Sequence, residues 1–118
     1  MSYINILQTK EIEVVEVVDA NHTLSLTDKF KVIEFDNGVS SYTLSFLVAS
    51  IAVGAWVEVR KTGSGDIFIL PDVSITLRSK FGNTTRVKLE GGDGYSAFLE
   101  KTDSSEWLVS GSILNDPT

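Results

Sequence analysis

The segment Val53–Leu70 reads VGAWVEVRKTGSGDIFIL, and the fold follows from how it is read. Two alternating apolar and polar runs flank the loop Lys61-Thr62-Gly63-Ser64-Gly65-Asp66. Ala55, Val57, Val59, Ile67 and Ile69 share one parity, and a strand places residues of one parity on one face. Gly63 and Gly65 are expected to supply the positive φ values of a tight reversal. The stretch therefore predicts a β-hairpin with one full apolar face. Trp56, Glu58, Arg60 and, on the returning run, Phe68 take the other parity, which predicts a second, partly aromatic face.

Period-2 runs continue on both sides. Upstream, Glu11–Val18 (EIEVVEVV) is dense in β-branched residues and predicts a strand, although its glutamates would also suit a helix. Asp19–His22 is a turn signal, Thr23–Thr27 alternates, and Thr27-Asp28 suits a single helical turn. Lys31–Phe35 is a strand ended by Asp36-Asn37-Gly38, and Tyr42, Leu44, Phe46 and Val48 mark the next one. Downstream, Pro71-Asp72 stops the central segment. Val73, Ile75 and Leu77 read as one strand and Val87 with Leu89 as another. Tyr95, Ala97 and Leu99 open a further strand, and Glu106–Ser110 closes the set across Asp103-Ser104-Ser105. Gly111 onward reads as a loose tail. This spacing predicts an all-β domain, an antiparallel β-sandwich or jelly-roll-like barrel of about eight short strands.

Composition narrows the function classes. The chain has 118 residues, 42% of them hydrophobic, which suits a single domain with a core. Ten Lys and Arg stand against 16 Asp and Glu, a net charge of −6. Nucleic-acid affinity draws on clustered cations, so this balance argues against a phosphate-tracking surface. No basic amphipathic stretch suits a lipid surface, and the apolar region Leu44–Val59 is interrupted by Ser45, Ser50, Gly54 and Glu58. Neither nucleic acid nor membrane insertion is expected. There is no cysteine, so disulfides and thiolate metal sites are excluded. The start lacks the cationic and long apolar regions of a signal peptide; the expectation is a protein made in a cytoplasm.

Catalytic signals are sparse. His22 is the only histidine; it lies in a turn-like stretch with no nucleophile elbow beside it, and reads as a solvated or structural side chain. Glu58, Asp66, Asp93, Glu100, Asp103 and Glu106 could supply a carboxylate pair, but turns recruit Asp and wet strand faces expose Glu without catalysis. Gly91-Gly92-Asp93-Gly94 lacks the Lys-Ser/Thr of a phosphate loop. Asp93 and Asp103 lack the spacing of a calcium loop. No catalytic residue, metal or cofactor is expected. Trp56, Phe68 and Tyr95 are the candidate surface residues: covered within the fold, buried against another copy, or stacked on sugar rings.

Three segments together resemble the knob and decoration domains of tailed-bacteriophage fibre and head-fibre proteins. The first comprises Thr23-Leu24-Ser25-Leu26-Thr27-Asp28, Lys31-Val32-Ile33-Glu34-Phe35 and Tyr42-Thr43-Leu44-Ser45-Phe46. The second is Val53–Arg60 with Gly63-Ser64-Gly65 and Ile67-Phe68-Ile69. The third is Tyr95–Glu100 with Trp107-Leu108-Val109-Ser110-Gly111. The resemblance spans most of residues 20–113 and implies a non-enzymatic homotrimer on the virion, attached to a capsid or tail protein and able to meet a host-surface glycan. Trimerisation suits a small cysteine-free β-domain, since assembly adds core and covers sheet edges. The expected organisation is an attachment arm or first strand over residues 1–18, a β knob over 19–114 and a tail over 115–118. With only residues 1–18 ahead of it, a compact knob is expected rather than a shaft. Ile4, Ile6, Ile12 and Val14 are the arm residues expected to add to a partner's sheet edge.

Overall fold

The loop 62–66 carries the chain from one sheet to another, not back along the same sheet. The structure, a computed structural model, describes residues 14–46, 51–91 and 95–116. Twelve strands occur among them: β1 (Val15–Val18), β2 (His22–Thr23), β3 (Lys31–Phe35), β4 (Tyr42–Phe46), β5 (Trp56–Lys61), β6 (Ile67–Pro71), β7 (Thr76–Ser79), β8 (Gly82–Thr84), β9 (Val87–Leu89), β10 (Ser96–Asp103), β11 (Glu106–Gly111) and β12 (Ile113–Asn115). Seven form one sheet in the order β1-β3-β5-β10-β11-β7-β8, and five form a second in the order β12-β9-β6-β4-β2. The fold is all-β and sandwich-like, since inward residues of both sheets meet in one apolar core.

Neither sheet is antiparallel throughout, which corrects the expected pairing. β1, β3 and β5 run parallel in the larger sheet, and β2, β4 and β6 run parallel in the smaller. The cause is a repeated unit of strand, arch and strand. β1–β2, β3–β4 and β5–β6 each cross from the larger sheet to the smaller, so stacking the units sets like strands side by side. The expected hairpin of β5 and β6 is therefore an arch, whose strands face one another through side chains. Ala55, Val57, Val59, Ile67 and Ile69 are all buried, as their parity requires. Their outward neighbours go to opposite surfaces, so Trp56 and Phe68 share no face.

Two glycines explain how the arches stack. Neither Gly63 nor Gly65 has a positive φ, contrary to the expectation from a hairpin turn. A Cβ on Gly63 would instead run into the Gly38 backbone, and one on Gly65 into the Ser40 carbonyl. The arch of the third unit thus lies directly on the arch of the second, closer than any side chain permits. Asn37, 4% exposed, rivets the two. Its Nδ2 donates to the Ser40 and Gly65 carbonyls and its Oδ1 accepts the Gly63 amide, each at 3.0 Å.

The C-terminal half closes this stack with mostly antiparallel strands. β10 pairs with β5 and forms a true hairpin with β11; β9 pairs with β6 and β12 with β9. Residues 111–116 are not a loose tail. Gly111, at φ 109°, turns the chain into the second sheet, where Ile113 is buried on β12. Residues 72–75 form a turn through the Ile75 amide and Asp72 carbonyl, which leaves Val73 wholly exposed instead of in a strand. Among the described residues no helix is long and apolar enough to cross a membrane.

Candidate functional site

Polar chemistry concentrates inside the first unit. Parallel partners project to the same side, so the register shows which way each side chain points. Glu16 is level with Ile33 and, one strand further, Val59; His22 is level with Leu44 and then Ile69. These four partners are core residues, so Glu16 and His22 face inward where the later units carry aliphatic side chains. Lys31, level with Val57, faces the same way. The 3-10 turn Leu26–Asp28 adds Asp28, 2% exposed.

The four groups satisfy one another. Asp28 Oδ2 accepts the Ser25 amide at 2.9 Å and lies 3.0 Å from His22 Nε2. Lys31 Nζ is 3.4 Å from Glu16 Oε1 and 3.8 Å from Asp28 Oδ1. Burial works to raise the Asp28 carboxyl, but the Ser25 amide, the His22 ring and the Glu16 side chain together hold it below the ordinary carboxylate value. An ionised Asp28 only accepts hydrogen bonds, so the proton between it and His22 sits on Nε2. Ser25 Oγ is 3.4 Å from the same carboxylate oxygen. It bonds the acid and not the ring, so these residues do not form a serine, base and acid relay.

Glu16, His22 and Asp28 each bring a ligand atom within 4.8 Å of the others, a span that one cation could bridge. The Lys31 ammonium already supplies positive charge to both carboxylates, and we read the group as an ion-pair cluster. Residue type alone does not reveal it, because the four members are spread over residues 16–31. Aligning the units at their register exposes it as charge inside an otherwise aliphatic ladder.

The three aromatic candidates do not converge. Trp56 lies on the outer face of the larger sheet, its ring centroid 5.4 Å from that of Phe98 in a stacked pair and 5.7 Å from that of Phe30 in an edge-on pair. Phe68 lies on the outer face of the smaller sheet beneath the Arg86 guanidinium, 4.3 Å above its ring. Tyr95 precedes β10, five residues from Glu100, the residue level with Trp56; that is about 17 Å along an extended strand. Trp56 instead joins Phe30 and Phe98, 49% and 41% exposed. Phe30 is the one non-glycine residue with a positive φ, 62°, among those described. This conformation costs an aromatic residue roughly 1 kcal/mol, and its amide is fixed to the Trp56 carbonyl at 2.7 Å.

Of the attachment residues, Val14 is half-exposed and its carbonyl accepts the Val32 amide; Ile4, Ile6 and Ile12 lie outside the described residues, as does Asp93. The other candidate carboxylates are dispersed. Glu106 pairs with Arg78, Glu58 with Arg60 and Asp66 with Lys88. Asp103 accepts the Ser104 amide. Glu100 faces outward, level with Trp56. Comparison with protein-family models, curated proteins and solved structures gave no match.

Proposed function

We propose that this chain is a non-enzymatic structural protein of a tailed-phage virion: a homotrimeric β knob that decorates the capsid or forms the tip of a head or tail fibre. The observation that carries the reading is the asymmetry of the fold. Among the described residues, parallel units stack from β1–β2 to β5–β6, and antiparallel strands close the stack at the C-terminal side. Such a body suits the terminal position of an assembly approached from its N-terminal side. The resemblance of the three sequence segments supports the same reading. An antibody against the chain should label intact particles of the virus that encodes it in negative-stain electron microscopy. Finding the chain only in the lysate of infected cells, never in particles, overturns the proposal.

A second reading, a carbohydrate-binding module, is favoured by one observation, the half-exposed Phe30 held at positive φ beside Trp56 and Phe98. Aromatic rings with flanking carboxylates suit the apolar faces and hydroxyls of sugars. A glycan array with the parent and Phe30→Ala and Phe98→Ala variants separates the readings: binding lost in both variants supports the module, and no binding by the parent removes it.

A further inference from the structure

Among the described residues, the units of strand, arch and strand stack so that β1 and β2 are the outer strands of the two sheets at one end, with no strand pairing beyond them. Such edges are templates for pairing with another chain. Two of the inward ladders that reach this end are aliphatic until the last rung. Val59 and Ile33 are followed by Glu16, and Ile69 and Leu44 by His22. We infer that the cluster of Glu16, His22, Asp28 and Lys31 is a stop that keeps a second copy of this chain from adding its strands to the β1 and β2 edges.

The argument is one of charge and desolvation. A copy that paired with β1 and β2 would bury the inward side of the first unit and continue the core across the junction. That side holds two carboxylates against one ammonium, with His22 beside them. Burial would remove the water that now solvates the partly exposed Glu16 and Lys31, and taking ions out of water opposes association unless every one of them finds a new partner. Inward-pointing charge on an edge strand is a recognised way of blocking strand addition; here Glu16 supplies it on β1, and the β2 edge carries the polar ring of His22. The inference rests on the open edges and the register, not on the virion reading, and any resting assembly of the parent serves as its baseline.

The test gives the first unit the residues that the later units carry. The full chain with Glu16→Ile and His22→Leu is compared with the parent and with Glu16→Gln plus His22→Asn, which removes charge but keeps polarity. Light scattering reads the mass, and far-UV circular dichroism with hydrogen exchange at β10 and β11 reads the fold. The Ile/Leu variant should at least double the parent's mass with rising concentration while keeping its strand signal, and the Gln/Asn variant, which still has polar groups to desolvate, should gain less mass than the Ile/Leu variant. A folded Ile/Leu variant at the parent's mass overturns the inference, and so does equal association of the Gln/Asn variant. If the Ile/Leu variant is unfolded, the single variants Glu16→Val and His22→Leu are read by the same two criteria.

Discussion

Asn37 holds Gly63 across 26 residues of sequence: its side-chain oxygen accepts the Gly63 amide at 3.0 Å, and both residues belong to arches lying one on the other. This contact joins the second and third units at the end of the sandwich where no strand pairing reaches. Asn37→Ala removes three hydrogen bonds from a nearly dry site. Stability should fall by about 2–4 kcal/mol, since buried amides and carbonyls lose their partner without gaining water. Urea unfolding measures it; a loss below about 0.5 kcal/mol, the range of ordinary surface substitutions, would show that the arches do not depend on the rivet.

Glycine has two different reasons to be present in these arches, and alanine separates them. At Gly38 a Cβ meets open space and only the φ of 54° is unfavourable, so Gly38→Ala should cost roughly 1 kcal/mol. At Gly63 and Gly65 the Cβ has no room against neighbouring backbone. Each alanine there should cost more than Gly38→Ala and lower the melting temperature further. Equal effects at all three positions would show that the arches part easily.

Two valines separate core from surface. Val59 is wholly buried and Val73 wholly exposed. Val59→Ala should destabilise by about 1–3 kcal/mol through lost burial and the cavity left behind. Val73→Ala should leave the thermal midpoint unchanged, although the alternation of Val73, Ile75 and Leu77 suggests a strand.

Asp28 gives the stability a defined acid limb. Its carboxyl titrates below the ordinary value of 3.8 in the folded chain, so it is ionised more readily folded than unfolded. Its contribution is therefore complete above the unfolded value and is lost as pH falls through the folded one. Asp28→Asn should destabilise the chain at neutral pH, with the gap from the parent closing below about pH 4, near that unfolded value. Denaturant midpoints across the acid range measure the gap; a constant difference would assign Asp28 a role independent of its charge.

Strand identity and inward parity were legible in the residues. Val57, Val59, Ile67 and Ile69 face the core as their alternation requires, and the Trp107 strand pairs with β10 across Asp103-Ser104-Ser105. Partnership between strands was not legible. A glycine-rich loop between two alternating runs is compatible with a hairpin or an arch, because parity fixes which side chains face in but not whether the backbones bond. The φ angles of Gly63 and Gly65 escape a sequence reading for the same reason: the need for glycine comes from Gly38 and Ser40, 25 residues away in both cases. The strands β2, β8 and β12 have only two or three residues each, too few for an alternation to register. The inward cluster stayed hidden because Glu16 and His22 look like surface residues until the units are aligned.

The parallel stacking of the units also sets the order of folding. The hairpin of β10 and β11 closes across a short turn, and such local pairing forms within microseconds. β3 meets β5 only after 26 residues are looped out, as Ile33 beside Val59 shows, and β1 meets β3 after 17, as Glu16 beside Ile33 shows. Parallel pairing across such loops is slow, because closure entropy is lost before any contact compensates. The β10–β11 hairpin is therefore expected to form before the parallel pairings of the earlier units. The chain leaves the ribosome in the opposite order, with the segments that fold last emerging first. Synthesis exposes β1 to β4 to water and to other chains until their template arrives, the interval in which polar residues at the end of an apolar ladder protect it most.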